Sequence, residues 1–334
     1  MNRIVIRRKD ADLLAPHPRR TDMIATQQSQ PQTARPRASL GKAGVLAAGI
    51  AVLSAAQAVA AAAGTSNALP DTITLTGTVR DFIRFDHPGG HPDFQQYNTG
   101  HIVGLVEEYL DDDGKPVRSS SQCKKVRSQY RDQYGNNINP ALYDPDRGDQ
   151  KGALKNYSNP VITSAESFSQ WYRDVPGVNL SMPLSITLER IPDSDVYFFH
   201  AHDDYSTSER EGFFPIDEHL YRDIDPTYHH NYFFTFELET EFMYERGTGQ
   251  MFTFFGDDDV WVFINGRLVI DIGGVHGAVQ QTIELDRLDW LPDGQKATLT
   301  LFFAERHTTR SNFRVETNLI LQSIEQPPTT ALYD

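Results

Sequence analysis

The densest chemical signal in the sequence is GDDDVWVFING, residues 256–266, in which Asp257, Asp258 and Asp259 stand between two hydrophobic runs. Adjacent carboxylates repel one another, and no lysine or arginine lies within the run to offset them. A divalent cation would supply the missing charge. Calcium suits such a loop best, because it accepts about six to eight oxygens in loose geometry and needs neither thiolate nor imidazole. A solvated turn is the competing reading, since aspartate is also a favoured turn residue.

A second polar set lies further along. Glu305, Arg306 and His307 end one strand-like run and Ser311 and Asn312 open the next, so these side chains are expected on one loop beside Asp257. Such a set can hydrogen-bond sugar hydroxyls. The alternative is a Glu305–Arg306 ion pair that ties the loop down. His276, in GGVHG, is either a ligand contact or a structural hydrogen bonder. Trp261 reads as core, with sugar stacking as the alternative. Catalysis is not expected: His200, His202 and Glu209 are the residue types of a metal-dependent cupin site without its spacing, and H-E-x-x-H, G-x-S-x-G and P-loop patterns are absent. Cys123 is the only cysteine, which excludes an intrachain disulfide.

The elements that must hold these groups read mainly as strands. TITLTGTV, from Thr72, alternates polar and apolar residues, and MFTFF, VWVFI, RLVID, ATLTLFF and FRVETNLIL are rich in aromatic and β-branched residues. Asn265-Gly266 between VWVFI and RLVID predicts a two-residue hairpin. Short helices are expected over 119–134 and over 164–171, the second with a Ser164/Ser167 cap region and an end before Pro176. No solenoid or propeller period is evident, which favours one sandwich or barrel with long loops.

Charge is divided unevenly. The first 44 residues carry nine Lys/Arg against three Asp/Glu, leaving 22 basic and 42 acidic residues for the rest, a net of −20 that disfavours nucleic-acid binding. Residues 43–63 form an apolar, alanine-rich segment with A-x-A cleavage sites, which reads as an export signal rather than a stable membrane span.

One family resemblance joins these pieces. TGTVRDF (76–82), HPDF (91–94), GLVEEYLDDDGKPV (104–117), SAESFSQWYRDVPGVN (164–179), FFP (213–215), NYFFTFELETEF (231–242), the acidic hairpin with its GGVHG extension (256–277) and ERHTTRSNFRVETNL (305–319) occur in the order of the fibro-slime domain family. That family is related to the protective-antigen-like β-barrels of yeast flocculins and bacterial glycosidases. The resemblance implies a mostly β, protective-antigen-like sandwich or barrel with long loops and one or two short helices over 71–325. An export segment and linker (1–70) precede it and a short tail (326–334) follows. In related sugar-binding barrels two adjacent aspartates, joined by a cis peptide, bind a calcium ion that chelates sugar hydroxyls. The match puts them at Asp257 and Asp258. Asp259 stands where many relatives have glycine, which keeps Asp258–Asp259 open as the working pair, and Asn312 matches a loop asparagine that completes the coordination. The implied protein is a secreted or cell-surface, calcium-dependent carbohydrate-binding or adhesion module without catalysis, whose partner is a carbohydrate or extracellular polysaccharide. The alternative is a structural matrix protein whose calcium only braces the fold.

Overall fold

The computed structural model describes residues 69–201 and 212–324. The apolar segment 43–63, His202, Glu209 and the tail 326–334, each given a role above, lie outside the described residues.

Sixteen strands are described in chain order: β1 (Thr72–Phe82), β2 (Ile102–Val103), β3 (Lys124–Ser128), β4 (Tyr130–Arg131), β5 (Asn137–Ile138), β6 (Ala153–Asn156), β7 (Asn179–Arg190), β8 (Tyr197–His200) and β9 (Phe234–Tyr244). They continue as β10 (Met251–Gly256), β11 (Asp259–Ile264), β12 (Arg267–Ile272), β13 (Val279–Glu284), β14 (Gln295–Glu305), β15 (Phe313–Thr317) and β16 (Gln322–Ser323). One large antiparallel sheet runs in the order β12-β11-β14-β9-β1-β7-β8-β15-β10-β13, with β16 on the side of β9. The mostly β architecture expected from the sequence is what the chain adopts. Its two ends meet through a side chain: Gln281 of β13 donates Nε2–H to the Asp271 carbonyl of β12 and accepts the Asp271 N–H, each at 2.9 Å. The sheet is thereby drawn into a nearly closed ring. Among the described residues no helix is long and apolar enough to cross a membrane.

Period-two alternation explains most of the ring. On β1, Ile73, Leu75 and Val79 face inward, and Leu184, Ile186 and Leu188 of β7 meet them in the same core as Phe236 and Leu238 of β9. β11 and β14 depart from alternation because both of their faces are covered. Val260, Val262 and Ile264 point into the ring, whereas Trp261 and Phe263 point outward into a second cluster with Phe302, Phe82, Phe94, Phe168, Trp171 and Tyr172. A strand buried on both faces must be apolar throughout, and VWVFI is. The cover comes from the long excursion between β1 and β7, which carries the helix α1 (Ala165–Ser169).

That helix begins as expected, with Ser164 accepting from the Ser167 N–H and Ser167 returning the bond to Ser164. The helix expected over 119–134 does not form; β3 and β4 occupy it. Val126 and Tyr130 lie four apart, a spacing that mimics a helical face, but β3 gains its backbone partners from β2 and β6. Tertiary pairing overrides the weak local period. The Asn265-Gly266 hairpin forms with φ of 49° and 74°, as a turn matching strand twist requires.

Candidate functional site

Three loops converge at one end of the ring. The first is the two-residue link between β10 and β11, Asp257-Asp258, whose peptide bond is cis. The second follows β12 through Gly273 to Gly277, and the third joins β14 to β15 through residues 306–312. Gly256 makes their approach feasible, since a Cβ there would lie 2.2 Å from the Asn312 carbonyl oxygen.

The three aspartates are held differently. Asp257 accepts the Asn312 backbone N–H at 2.7 Å on Oδ1 and the Asn312 side-chain amide at 2.9 Å on Oδ2. Asp258 accepts N–H groups of His276 and Arg306, both at 3.2 Å, one on each oxygen. Asp259 turns to the outer face of β11, where Gly274 N–H (2.5 Å) and Arg306 Nε–H (2.6 Å) take its two oxygens. Arg306 and Asp259 therefore form an ion pair with both side chains fully buried. The guanidinium also donates to the carbonyls of Asp93 and Val161 and lies over the Trp171 ring at 4.8 Å. The Glu305–Arg306 pair weighed from sequence is not the one formed.

Burial dominates the electrostatics. It pushes the Asp257 carboxyl up to about 6 despite the two Asn312 donors. Burial, with Asp257 alongside, raises Asp258 well above the ordinary carboxylate range. Glu305, also buried, is raised well above its usual value by burial and by Asp258 and Asp257. Asp259 is raised by burial as well, with Arg306 working in the opposite direction. Three carboxyls thus crowd together, and the one buried guanidinium beside them, Arg306, is committed to Asp259. His276 Nε2 and Arg306 Nη2 are buried without a hydrogen-bond partner among the described residues, and the buried Glu305 carboxyl has the Ser311 hydroxyl beside it. Orphaned groups each cost about 1–3 kcal/mol.

In front of Asp257 and Asp258 lies an open depression of about 220 Å³, lined also by Asn98, His276, His307 and Arg310. The lining offers carboxylate, amide and hydroxyl oxygens beside two imidazoles and no thiol, and the oxygens suit calcium. Among the described residues no three His, Cys, Asp or Glu side chains form a preformed metal cage. A calcium site need not contain one, since neutral oxygens make up much of its shell.

The sequence-nominated residues therefore sort by position. Asp257, Asp258, His276 and His307 line the depression. Asn312 braces Asp257 from the side. Glu305, Arg306, Ser311 and Asp259 are buried behind. Trp261 is core, its Nε1–H donating to Asp271 at 3.2 Å. Sequence reasoning missed Asn98, Arg310 and Asp93. Asp93 belongs to the HPDF motif, and its two oxygens accept from Thr163 N–H and Trp171 Nε1–H, which orients the ring under Arg306.

The fold and site together define an antiparallel β domain with a buried acidic pair at the mouth of its ring. Searched against family models, the chain matches none. It is similar to three proteins of Dictyostelium discoideum: protein psiR (38% identical over 75% of this chain), protein psiQ (39% over 75%) and protein psiD (31% over 77%). The chain spans only 21%, 22% and 43% of those proteins' lengths. A beta-glucosidase from Kluyveromyces marxianus in complex with glucose aligns over 66% of this chain and 19% of its own at 14% identity, with a TM-score of 0.22, too low to bear on the fold.

Proposed function

We propose that this chain is a calcium-dependent carbohydrate-binding or adhesion module, exported and without catalysis, belonging with the fibro-slime domains that its motifs resemble. One observation supports this above the others: Asp257 and Asp258 are buried side by side at the mouth of a depression, with the Glu305 carboxyl buried behind them and the one buried guanidinium, Arg306, committed to Asp259. A calcium ion would be held by Asp257 and Asp258, with Asn312 contributing its amide oxygen after rotation of the side chain. Bound there, the ion supplies a positive centre to which vicinal sugar hydroxyls coordinate. Asp259 does not line the depression and is the counter-ion of Arg306, which favours Asp257–Asp258 as the working pair.

Calorimetric titration of chelator-treated full-length protein with calcium chloride tests the metal. A saturable isotherm is expected, lost in Asp257→Asn/Asp258→Asn. An immobilised glycan panel, washed with and without EDTA, tests the ligand. No heat and no change in melting temperature with calcium would remove the proposal. Calcium uptake with no glycan retained would leave the structural-brace reading, which draws on the hydrogen bonds already joining the three loops.

A further inference from the structure

Arg310 stands apart from the other cations at this end of the ring. Arg306 is buried and paired with Asp259. Arg310 is exposed, lines the depression with Asp257 and Asp258, and makes no hydrogen bond or ion pair among the described residues. Its charge reaches Asp257, whose carboxyl it favours in the ionised form.

Charge at the mouth then follows from the proposed occupancy, on which this inference rests. Asp257 and Asp258 face one calcium ion, Asp259 pairs with Arg306, Glu305 is buried behind them, and exposed Arg310 has no ion-pair partner among the described residues. The lining also lacks the feature that most often holds a neutral sugar: among the described residues, no Trp, Tyr or Phe contributes to it. Affinity must therefore come from the ion, from charge and from hydrogen bonds to such groups as Asn98, Thr308 and Thr309. An arginine fork is suited to the two oxygens of a carboxylate, which it meets in a bidentate fashion.

We propose that the ligand is an acidic glycan, a uronate whose hydroxyls take the calcium ion and whose carboxylate pairs with Arg310. The domain's overall negative charge does not forbid this, because charges farther away than about 8 Å are largely screened at physiological salt.

The test uses full-length protein loaded with one equivalent of calcium and desalted, so that free calcium does not bridge the uronate itself. Tri-galacturonate and its methyl ester are titrated in parallel. The acid is expected to bind at least about ten-fold more tightly than the ester, the scale of one charge-assisted contact. Arg310→Gln should reduce that preference to about two-fold or less, while calcium affinity is retained or strengthened, since a positive charge beside Asp257 has been removed. Equal binding of acid and ester overturns the proposal, as does an unchanged preference in Arg310→Gln. Binding of neither sugar by protein that takes up calcium also overturns it and leaves the metal site intact. Absence of calcium uptake by the unmodified protein is a different failure, that of the metal reading beneath it.

Discussion

Two runs of three aspartates occur in this chain, Asp111–Asp113 and Asp257–Asp259, and they are built in opposite ways. In the first, Asp112 and Asp113 are exposed, and Asp111 folds a turn by accepting the N–H groups of Asp113 (3.0 Å) and Lys115 (2.8 Å). Arg173 reaches both Asp111 and Asp113. Partial burial would raise the Asp111 carboxyl, but the Lys115 N–H and Arg173 outweigh it and its pKa is lowered. In the second run burial wins, and all three carboxyls are raised. Identical composition thus yields a self-satisfied turn in one place and an electrostatically frustrated cluster in the other. What differs is burial: the first run keeps its carboxyls near water, and the second is shut away from it.

The largest effect should come from removing the one buried cation paired with the second run. Arg306→Met leaves Asp259 buried and unpaired, and should cost about 3–5 kcal/mol in urea unfolding. Arg306→Met with Asp259→Leu should recover most of that loss, whereas Arg173→Met at the exposed run should be far milder. Calcium comes next. At a hundred times its Kd it should stabilise the protein by about 2.7 kcal/mol, and Asp257→Asn/Asp258→Asn should abolish the gain. Asp112→Asn/Asp113→Asn should leave the gain untouched.

Acidity sharpens the contrast further. Without the ion, Asp257 holds its proton up to about pH 6, while the unfolded chain releases it near 3.8, so ion-free stability should fall as pH rises between those values. Calcium competes with that proton. The calcium-induced rise in melting temperature should therefore shrink as pH is lowered from 7.5 through 6. Smallest of all, Asp112→Asn alone should leave the melting temperature unchanged within error, as exposed substitutions usually do.

Much of the framework was legible from residue order. The alternation in TITLTGTV, the Asn265-Gly266 turn and the Ser164 cap each act through neighbours close in sequence, and each appears as expected. The gathering of residues 305–312 beside Asp257 was legible too, because two strand ends and a short loop leave little freedom. Which aspartate faces which way was not. Asp259 shares the outward parity of Trp261, but the outer face is buried only because the excursion between β1 and β7 folds over it. The partner of Arg306 depended on the same cover, through Asp93, Val161 and Trp171, residues more than 130 positions away. The failed helix over 119–134 has the same origin, since its strand partners lie elsewhere in the chain.

Gln281 gives the ring a property that its ladders alone would not. Every other junction in the strand order is stitched by backbone to backbone, but between β12 and β13 one carboxamide serves as the clasp. The cylinder therefore has one seam with no strand ladder across it. The wall of residues 273–277 that carries His276 is the short turn at the end of that seam. Amide exchange at Asp271 would report how often that clasp opens.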